Sequence, residues 1–314
     1  MLFNKDKNGT AELRALTGNY YKSNDFAKVE VFIERATEEL QDIVGNALIS
    51  KVDKLYNSTE EITDNDKTLI KKLQRPIAIK ATLLLYQRND ISHEDSGRKI
   101  KLDNDNEKLP WEWQLERDDR IHLEDYYQGV DSLIKYLDDN KTEEWMLTKK
   151  RLGIHGLLIR SGKDFDDFFP LNSERVYIML LSFLKEAQRK YIKPVFGDDK
   201  FDELLNTISK ADRNTILPDE YEYAGAPLAL MTISTALTRM PISIMPEGLV
   251  RQAIKTGGTD TGMPSLKDIK EVAKWLQEEA KVLIDDLKLF LRDNKTKNYK
   301  LLPDNDKKNK YMRV

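Results

Sequence analysis

The chain has 314 residues, of which 40% are hydrophobic and 33% are charged, and it contains no cysteine. This length suits two domains better than a single core. The lack of cysteine excludes disulfides, thiolate metal sites and cysteine nucleophiles, and it suits a reducing compartment. The first residues lack the apolar stretch of a secretory signal, and no apolar run approaches the ~20 residues of a membrane span. We therefore expect a soluble protein that is not exported by the general route.

Charge is nearly balanced overall, with a net charge of −3, but it is unevenly distributed. The last twenty residues, 295–314, hold seven basic and two acidic side chains, so this basic tail carries +5 and the rest of the chain −8. A globally basic footprint for nucleic acid is absent. The basic tail predicts a disordered solubilising end, a peptide that orders on a partner, or an arm that contacts phosphate.

The first helical pattern follows Ser23-Asn24, which are good N-cap residues. Apolar residues then recur at three-and-four spacing as far as Val44, and Gly45-Asn46 supplies a stop. A matching pattern begins after Asn172-Ser173 and stops at Gly197. We therefore expect two similar amphipathic helices.

These two helices belong to a longer repeat. A shift of 151 residues places Phe32 on Phe183, Ala36 on Ala187, Val44 on Val195, Pro76 on Pro227 and Gly97 on Gly248. Both prolines are expected at the start or kink of an apolar helix. A shift of 154 places Val130, Leu133 and Leu137 of a third long helix on Ile284, Leu287 and Leu291, and both helices are predicted to close at Asp-Asn, residues 139–140 and 293–294. We interpret the pattern as a tandem duplication; a coincidence between two helical bundles is the alternative.

The duplication divides the chain into four parts. The first module spans residues 1–140, the second spans 172–294, and the basic tail comes last. Residues 141–171 are too rich in Trp, Leu and Phe for a solvated linker, so we expect them to pack across both modules and to fix their relative orientation. Between its second and third long helices each module carries an arm, at 89–117 and at 240–264.

The first arm predicts a β-hairpin. Residues 99–103 and 109–116 alternate apolar and polar side chains on either side of residues 103–106. Trp111 and Trp113 would share one face, which must be covered either by the module's own helices or by a neighbouring subunit. The second arm is glycine-rich at residues 255–262 and is predicted to be mobile.

No pattern of catalytic or metal-ligating residues stands out. His93, His122 and His155 lack metal-site spacing, so we assign each a structural or surface role. Carboxylate pairs such as Asp118-Asp119 are expected on solvated helix faces in so charged a chain. The glycine stretch at 255–262 lacks the phosphate-loop motif and a preceding strand. We therefore predict no enzyme, no cofactor and no metal site.

The order of elements resembles a known family. Each half has a cap, an amphipathic helix ending at glycine, an apolar helix with an early proline, an arm and a long closing helix. Over residues 23–140 and 172–294 this order resembles the small helical head–tail connector (adaptor) proteins of tailed bacteriophages, especially the long duplicated versions of Bacteroides-type phages. The chain departs from simple connectors in having two modules instead of one. The predicted fold is accordingly all-α, a tandem duplication of a connector-like helical module.

The resemblance implies a structural virion protein, made in the host cytoplasm, that forms a ring of typically twelve copies beneath the portal protein. Such a ring neighbours other tail or ring proteins and continues the DNA channel, through which DNA slides without sequence specificity past negative charge. In such proteins the arm reaches the adjacent subunit and the C-terminal tail contacts the portal. Carried onto this sequence, the candidate inter-subunit residues are Ile100, Leu102, Trp111 and Trp113. The candidate portal-docking residues are Lys307, Lys308, Lys310, Tyr311 and Met312.

Two other functions stay open on the sequence. One is a cytoplasmic helical adaptor that binds a single protein partner without forming a ring, which a monomer on sizing would favour. The other is a nucleic-acid-binding module that uses the basic tail. Salt-sensitive DNA binding that is lost on deletion of residues 295–314 would favour it.

Overall fold

A computed structural model gives the fold and describes residues 2–18, 25–90, 92–94, 97–99, 111–210, 215–240 and 266–296. The chain divides into two compact units, Met1–Leu152 (unit 1) and Gly153–Val314 (unit 2). In the described ranges both units are helical, apart from one short pair of strands in unit 1. The predicted all-α fold class is confirmed.

Unit 1 contains seven α-helices among its described residues, preceded by a 3-10 turn at Lys5–Lys7. They are α1 (Gly9–Thr17), α2 (Phe26–Val44), α3 (Asn46–Asn57), α4 (Asp64–Asn89), α5 (Glu112–Asp139), α6 (Glu143–Met146) and α7 (Lys149–Leu152). Strands β1 (Ser92–Glu94) and β2 (Gly97–Lys99) come after α4 and pair antiparallel, with Ser92 opposite Lys99. Helix α4 packs against both α2 and α5, and the core lies between these three helices.

Unit 2 contains six α-helices among its described residues. They are α8 (Gly162–Asp166), α9 (Glu174–Ala187), α10 (Lys193–Phe196), α11 (Asp198–Lys210), α12 (Asp219–Arg239) and α13 (Leu266–Thr296). A π-helical turn at Gln188–Ile192 joins α9 to α10. Helix α12 packs against both α9 and α13, as α4 packs against α2 and α5 in unit 1.

Side-chain caps fix where several of these helices begin. The Ser173 hydroxyl accepts a hydrogen bond from the backbone N–H of Val176 at 3.1 Å, which confirms the predicted cap of α9. Thr63 and Asp66 cap α4 reciprocally through side chain and backbone. Helix α2 is capped by Asp25, whose carboxylate accepts from the N–H of Ala27. The predicted cap at Ser23-Asn24 lies outside the described residues.

The two units repeat the same order of helices, with α2, α3, α4 and α5 of unit 1 matched by α9–α10, α11, α12 and α13 of unit 2. Gly45 and Gly197 each end one helix and begin the next at a positive φ, 91° and 77°, which glycine adopts at low cost. These glycines are 152 residues apart, whereas Ala36 and Ala187 are 151 apart. The π-helical turn absorbs the extra residue, so Val44 corresponds to Phe196 and not to Val195 as predicted.

The repeated prolines lie inside their helices and not in the first turn. Pro76 is in the middle of α4, and Pro227 lies within α12. A Cβ added to Gly129 of α5 would lie 3.3 Å from the Cβ of Pro76, so the two helix backbones approach closely at this point. Pro76, which has no N–H to donate, therefore lies where α5 comes close to α4 at Gly129.

The predicted β-hairpin of the first arm is wrong in its second strand. Residues 112–116 form the start of α5, and Trp111 is its N-cap residue. The side-chain amide oxygen of Gln114 accepts from the backbone N–H of Trp111 at 2.8 Å. Glu112, Gln114 and Glu116 also favour a helix, and an alternation of eight residues is too short to outweigh them. Residues 100–110 lie outside the described part.

The segment 141–171 is divided between the two units at residues 152 and 153. Its first part forms α6 and α7 in unit 1, where Trp145 is 1% exposed. Its second part packs in unit 2, where the Tyr177 hydroxyl donates to the carbonyl oxygen of Ile159 at 2.9 Å. The predicted effect of this segment on the relative orientation of the modules stays a prediction.

Candidate interaction surfaces

The tryptophan pair, Trp111 and Trp113, lies at the start of α5. Trp111 is 71% exposed and Trp113 is 47% exposed. Ile121, two turns further along α5, is also exposed. Exposing the apolar area of a large aromatic side chain to water is unfavourable, and such side chains are enriched at surfaces that bind another protein. The start of α5 is therefore a candidate interaction surface.

A second surface, the α13 stripe, consists of Val272, Trp275, Val282 and Leu289. All four are exposed, Trp275 and Val282 by 61% and 62%. Trp275, Val282 and Leu289 are seven residues apart, so they form one line about 21 Å long on an α-helix. The line lies on the side of α13 away from the buried residues Ala273, Leu276, Ala280 and Leu287.

Carboxylates flank the α13 stripe on both sides. Glu271, Glu278 and Asp285 lie along one edge at the same spacing of seven, and Glu279 and Asp286 lie along the other edge. All five are exposed. The three carboxylates of the first edge each pair with a lysine of α13, Glu271 with Lys267, Glu278 with Lys274 and Asp285 with Lys288. The stripe is therefore an apolar line with paired charges along one edge.

Sequence reasoning missed the α13 stripe. The repeat matched Ile284, Leu287 and Leu291 to apolar residues of α5, and these three are buried. The spacing of seven from Trp275 to Leu289 was a detectable signal on the opposite face. The internal repeat does not reveal this face, because only the core face is shared by both halves of the chain.

The structure describes two of the nine candidate interaction residues, Trp111 and Trp113, and leaves both exposed. Ile100 and Leu102 lie outside the described residues, as does the whole of the predicted portal-docking set in the basic tail. The assignment of these residues to inter-subunit or portal contacts stays a prediction.

The histidines differ in their surroundings. His122 is buried, with Nδ1 3.0 Å from the carbonyl oxygen of Asp118 and its ring edge-on to Tyr86 at 5.9 Å. His155 is exposed, and the side chain of His93 in β1 is not among those described. Within the described ranges, His, Asp and Glu residues form no group of three that could hold a metal ion.

Asp138 is a half-buried carboxylate at the end of α5. Its Oδ1 accepts from the indole N–H of Trp145 at 2.8 Å and lies 3.0 Å from Nε of Arg151. Burial raises the pKa of this carboxyl, while Arg151 and the Trp145 hydrogen bond oppose the rise. Asp138 thus anchors both α6 and α7 to the end of α5.

None of the helices that the structure describes is long and apolar enough to cross a membrane.

The geometry defines the chain as a tandem duplication of one all-helical module. The model of a family of unknown function, DUF6712, matches residues 40–151 and 192–312. The two matches begin at Leu40 and Ile192, which occupy equivalent buried positions in the two units. The chain belongs to this family and carries its module twice. Comparison with curated proteins and with solved structures found no significant match.

Proposed function

We propose that this chain is a structural virion protein that forms a ring at the head–tail junction of a tailed bacteriophage and continues the DNA channel below the portal protein. The observation that carries the proposal is the exposure of Trp111 and Trp113 at the boundary of the first arm. Tryptophans that become fully covered are among the residues that contribute most to protein association. In the proposed ring, an adjacent subunit covers this pair.

A ring also needs two different surfaces on each copy, because a head-to-tail interface joins one patch to another. Unit 1 exposes the tryptophan pair, and unit 2 exposes the α13 stripe. Two unlike apolar surfaces on one chain fit this requirement. A single self-complementary patch would instead favour a two-fold dimer.

The charge distribution fits a DNA channel. The chain before the basic tail carries −8, and negative charge at a channel wall lets DNA slide without binding. In this proposal the basic residues Lys307, Lys308 and Lys310 contact the portal protein together with Tyr311 and Met312. Portal contact would therefore depend on ionic strength.

The test measures self-association and folding separately. Wild type, Trp111→Ser/Trp113→Ser and a matched control, Val31→Ser, are compared by light scattering on a sizing column, by negative-stain imaging and by thermal melts. Val31 is 67% exposed on α2 and belongs to neither candidate surface. We expect wild-type rings, at least a tenfold weaker self-association for the double variant, about 1.4 kcal/mol, and a control that behaves as wild type.

Three outcomes would contradict the proposal. Equal loss of thermal stability and of self-association in the double variant would make the tryptophan pair part of the core. A monomer that also fails to co-purify with a portal protein would favour the adaptor that binds another partner. Salt-sensitive DNA binding that disappears with residues 295–314 would favour the nucleic-acid module.

A further inference from the structure

The end of α5 and the end of α13 have the same sequence. Asp139-Asn140-Lys141-Thr142 recurs as Asp293-Asn294-Lys295-Thr296, at the shift of 154 that relates the two helices. In unit 1 this tetrapeptide ends the helix: Asn140 is the C-cap, and Lys141 adopts a left-handed φ of 47°. In unit 2, α13 continues through it to Thr296. The same four residues therefore support both a helix end and a helix continuation.

In unit 1 the segment after the tetrapeptide folds back onto its own unit. Trp145 of α6 is buried, and its indole N–H donates to Asp138. Glu144 lies 2.9 Å from Nζ of Lys51 on α3. Thr148 is in contact with the corner at Gly45, where a Cβ on that glycine would lie 3.0 Å from the Thr148 methyl group. Unit 1 thus shows an occupied docking surface formed by α3, Gly45 and the end of α5.

The sequence after Thr296 resembles this docked segment at two positions. At the same shift of 154, Tyr299 takes the position of Trp145 and Leu301 that of Leu147. The second family match also extends to residue 312, so it includes these residues, as the first match includes α6 and α7. An aromatic residue therefore stands in the basic tail where unit 1 has its buried anchor.

The charges at the docking positions differ between the two units. Lys51 on α3 corresponds to Glu203 on α11, 152 residues later, and Glu144 corresponds to Asn298, which lies beside Lys297. Asp138 corresponds to Arg292, and its partner Arg151 corresponds to Asn305, which lies between Asp304 and Asp306. Neither ion pair of unit 1 is repeated position for position, because both counterparts in the tail are asparagine. The start of the tail instead carries Lys297 and Lys300, which are opposite in sign to Glu203.

The face of α11 that corresponds to the docking surface of unit 1 is exposed in unit 2. Asp199, Asp202 and Glu203 form an acidic face of α11 and line a shallow pocket with Asn206, Thr207 and Lys210. Arg292, at the end of α13, is also exposed. The exposed face is the counterpart of the α3 face that α6 covers in unit 1.

We propose that residues 297–303 of the basic tail dock on the α11 face of their own chain, with Tyr299 as the anchor in the place that Trp145 takes in unit 1. Residues 304–314 are then held beside unit 2. This proposal concerns one chain and does not depend on ring formation.

Disulfide trapping tests the proposal, because the natural chain has no cysteine. The test pair is Glu203→Cys with Asn298→Cys, the counterparts of Lys51 and Glu144. Lys51→Cys with Glu144→Cys is the positive control. Lys274→Cys with Asn298→Cys is the negative control, because Lys274 lies in the first half of α13 and is exposed. Each full-length variant is equilibrated in a glutathione buffer, and bonds are assigned by non-reducing gels and peptide mass mapping.

We expect an intrachain bond in the test pair at an effective concentration at least about tenfold above that of the negative control. Adding Tyr299→Ser to the test pair should lower that value about tenfold, whereas Tyr311→Ser should leave it unchanged. A value equal to the negative control would overturn the proposal. A bond found only between chains would also overturn it, because the tail would then dock on a second copy. Ring formation is measured separately by light scattering, so loss of rings with an intact intrachain bond refutes only the proposed function.

Discussion

Because α6 packs on unit 1 through Trp145, replacing this tryptophan should lower the free energy of unfolding substantially. Its side chain is 1% exposed, and its indole N–H donates to Asp138 at 2.8 Å. Replacing a buried tryptophan with alanine costs roughly 3–5 kcal/mol of unfolding free energy. Trp145→Phe keeps most of the apolar burial but removes the hydrogen bond to the carboxylate, so we expect a loss of about 1.5–3 kcal/mol. The two variants separate the packing contribution from the polar one.

Urea unfolding monitored by far-ultraviolet circular dichroism measures these losses, at protein concentrations where the chain is monomeric. Fluorescence adds a local readout, because Trp145 is buried whereas Trp111, Trp113 and Trp275 are exposed. Trp145→Phe should therefore remove the short-wavelength part of the emission. Trp275→Ala is the matched control and should change stability by no more than about 0.5 kcal/mol. A cost below about 1 kcal/mol for Trp145→Ala would refute the docked arrangement of α6.

Two further predictions concern other contacts. Gly225→Ala would place a Cβ 2.1 Å from Cζ of Phe168. We therefore expect unit 2 to lose about 1–3 kcal/mol of unfolding free energy, although alanine has the better helix propensity. Urea melts should show that Phe168→Leu partly restores the stability of this variant and that the control Gly156→Ala has little effect. Because burial raises the pKa of Asp138, its contribution to stability is present below the unfolded-state pKa of about 3.9 and is lost as pH rises through the folded-state pKa. The stability of wild type relative to Asp138→Asn should therefore increase as pH is lowered from about 7 to about 4, and a difference that stays constant with pH would contradict this assignment.

The helices and their repetition were predictable because both depend on local spacing. The apolar residues Val29, Ile33, Ala36 and Leu40 recur at three-and-four spacing, and all four are buried in α2. The Ser173 cap requires only three residues of sequence to recognise. The shared core face of α5 and α13 was also predictable from aligning one half of the chain with the other.

The wrong sequence predictions have physical causes that lie outside a short stretch of sequence. Residues 109–116 alternate apolar and polar side chains like a strand. Residues 112–116 nevertheless belong to a helix of 28 residues, whose backbone hydrogen bonds and packing outweigh the short alternation. The one-residue slip before Gly197 arises from a π-helical turn, which changes the spacing without changing the apolar pattern. Residues 139–142 and 293–296 are identical yet differ in backbone conformation, so local sequence alone cannot decide between the two.

The candidate surfaces were predictable in part. The tryptophan pair stood out because two large aromatic residues are rare outside a core, and both are exposed. The α13 stripe was harder to recognise because α13 has apolar residues on two faces, and the largest of them, Trp275, lies on the exposed one. Which face is buried depends on α12, whose Ser234 hydroxyl donates to the carbonyl oxygen of Ala273 at 2.7 Å. That choice is made by tertiary packing and not by the helix itself.

The two units share the same core positions but differ at most of their exposed apolar positions. At the shift of 154, Trp111 and Trp113 correspond to Ser265 and Lys267. In the opposite direction, three residues of the α13 stripe, Val272, Val282 and Leu289, correspond to Asp118, Gln128 and Lys135 of α5. The fourth, Trp275, corresponds to Ile121, which is also apolar and exposed. Two copies of a module with the same surface could pair with each other or with themselves in several registers. Because five of the six compared positions are polar in one unit and apolar in the other, a surface of unit 1 can discriminate unit 2 of a neighbour from its unit 1. If the α13 stripe and the tryptophan pair are the two sides of the proposed ring interface, charged substitutions in the stripe, such as Val282→Glu, should disrupt self-association in light scattering as strongly as loss of the tryptophan pair.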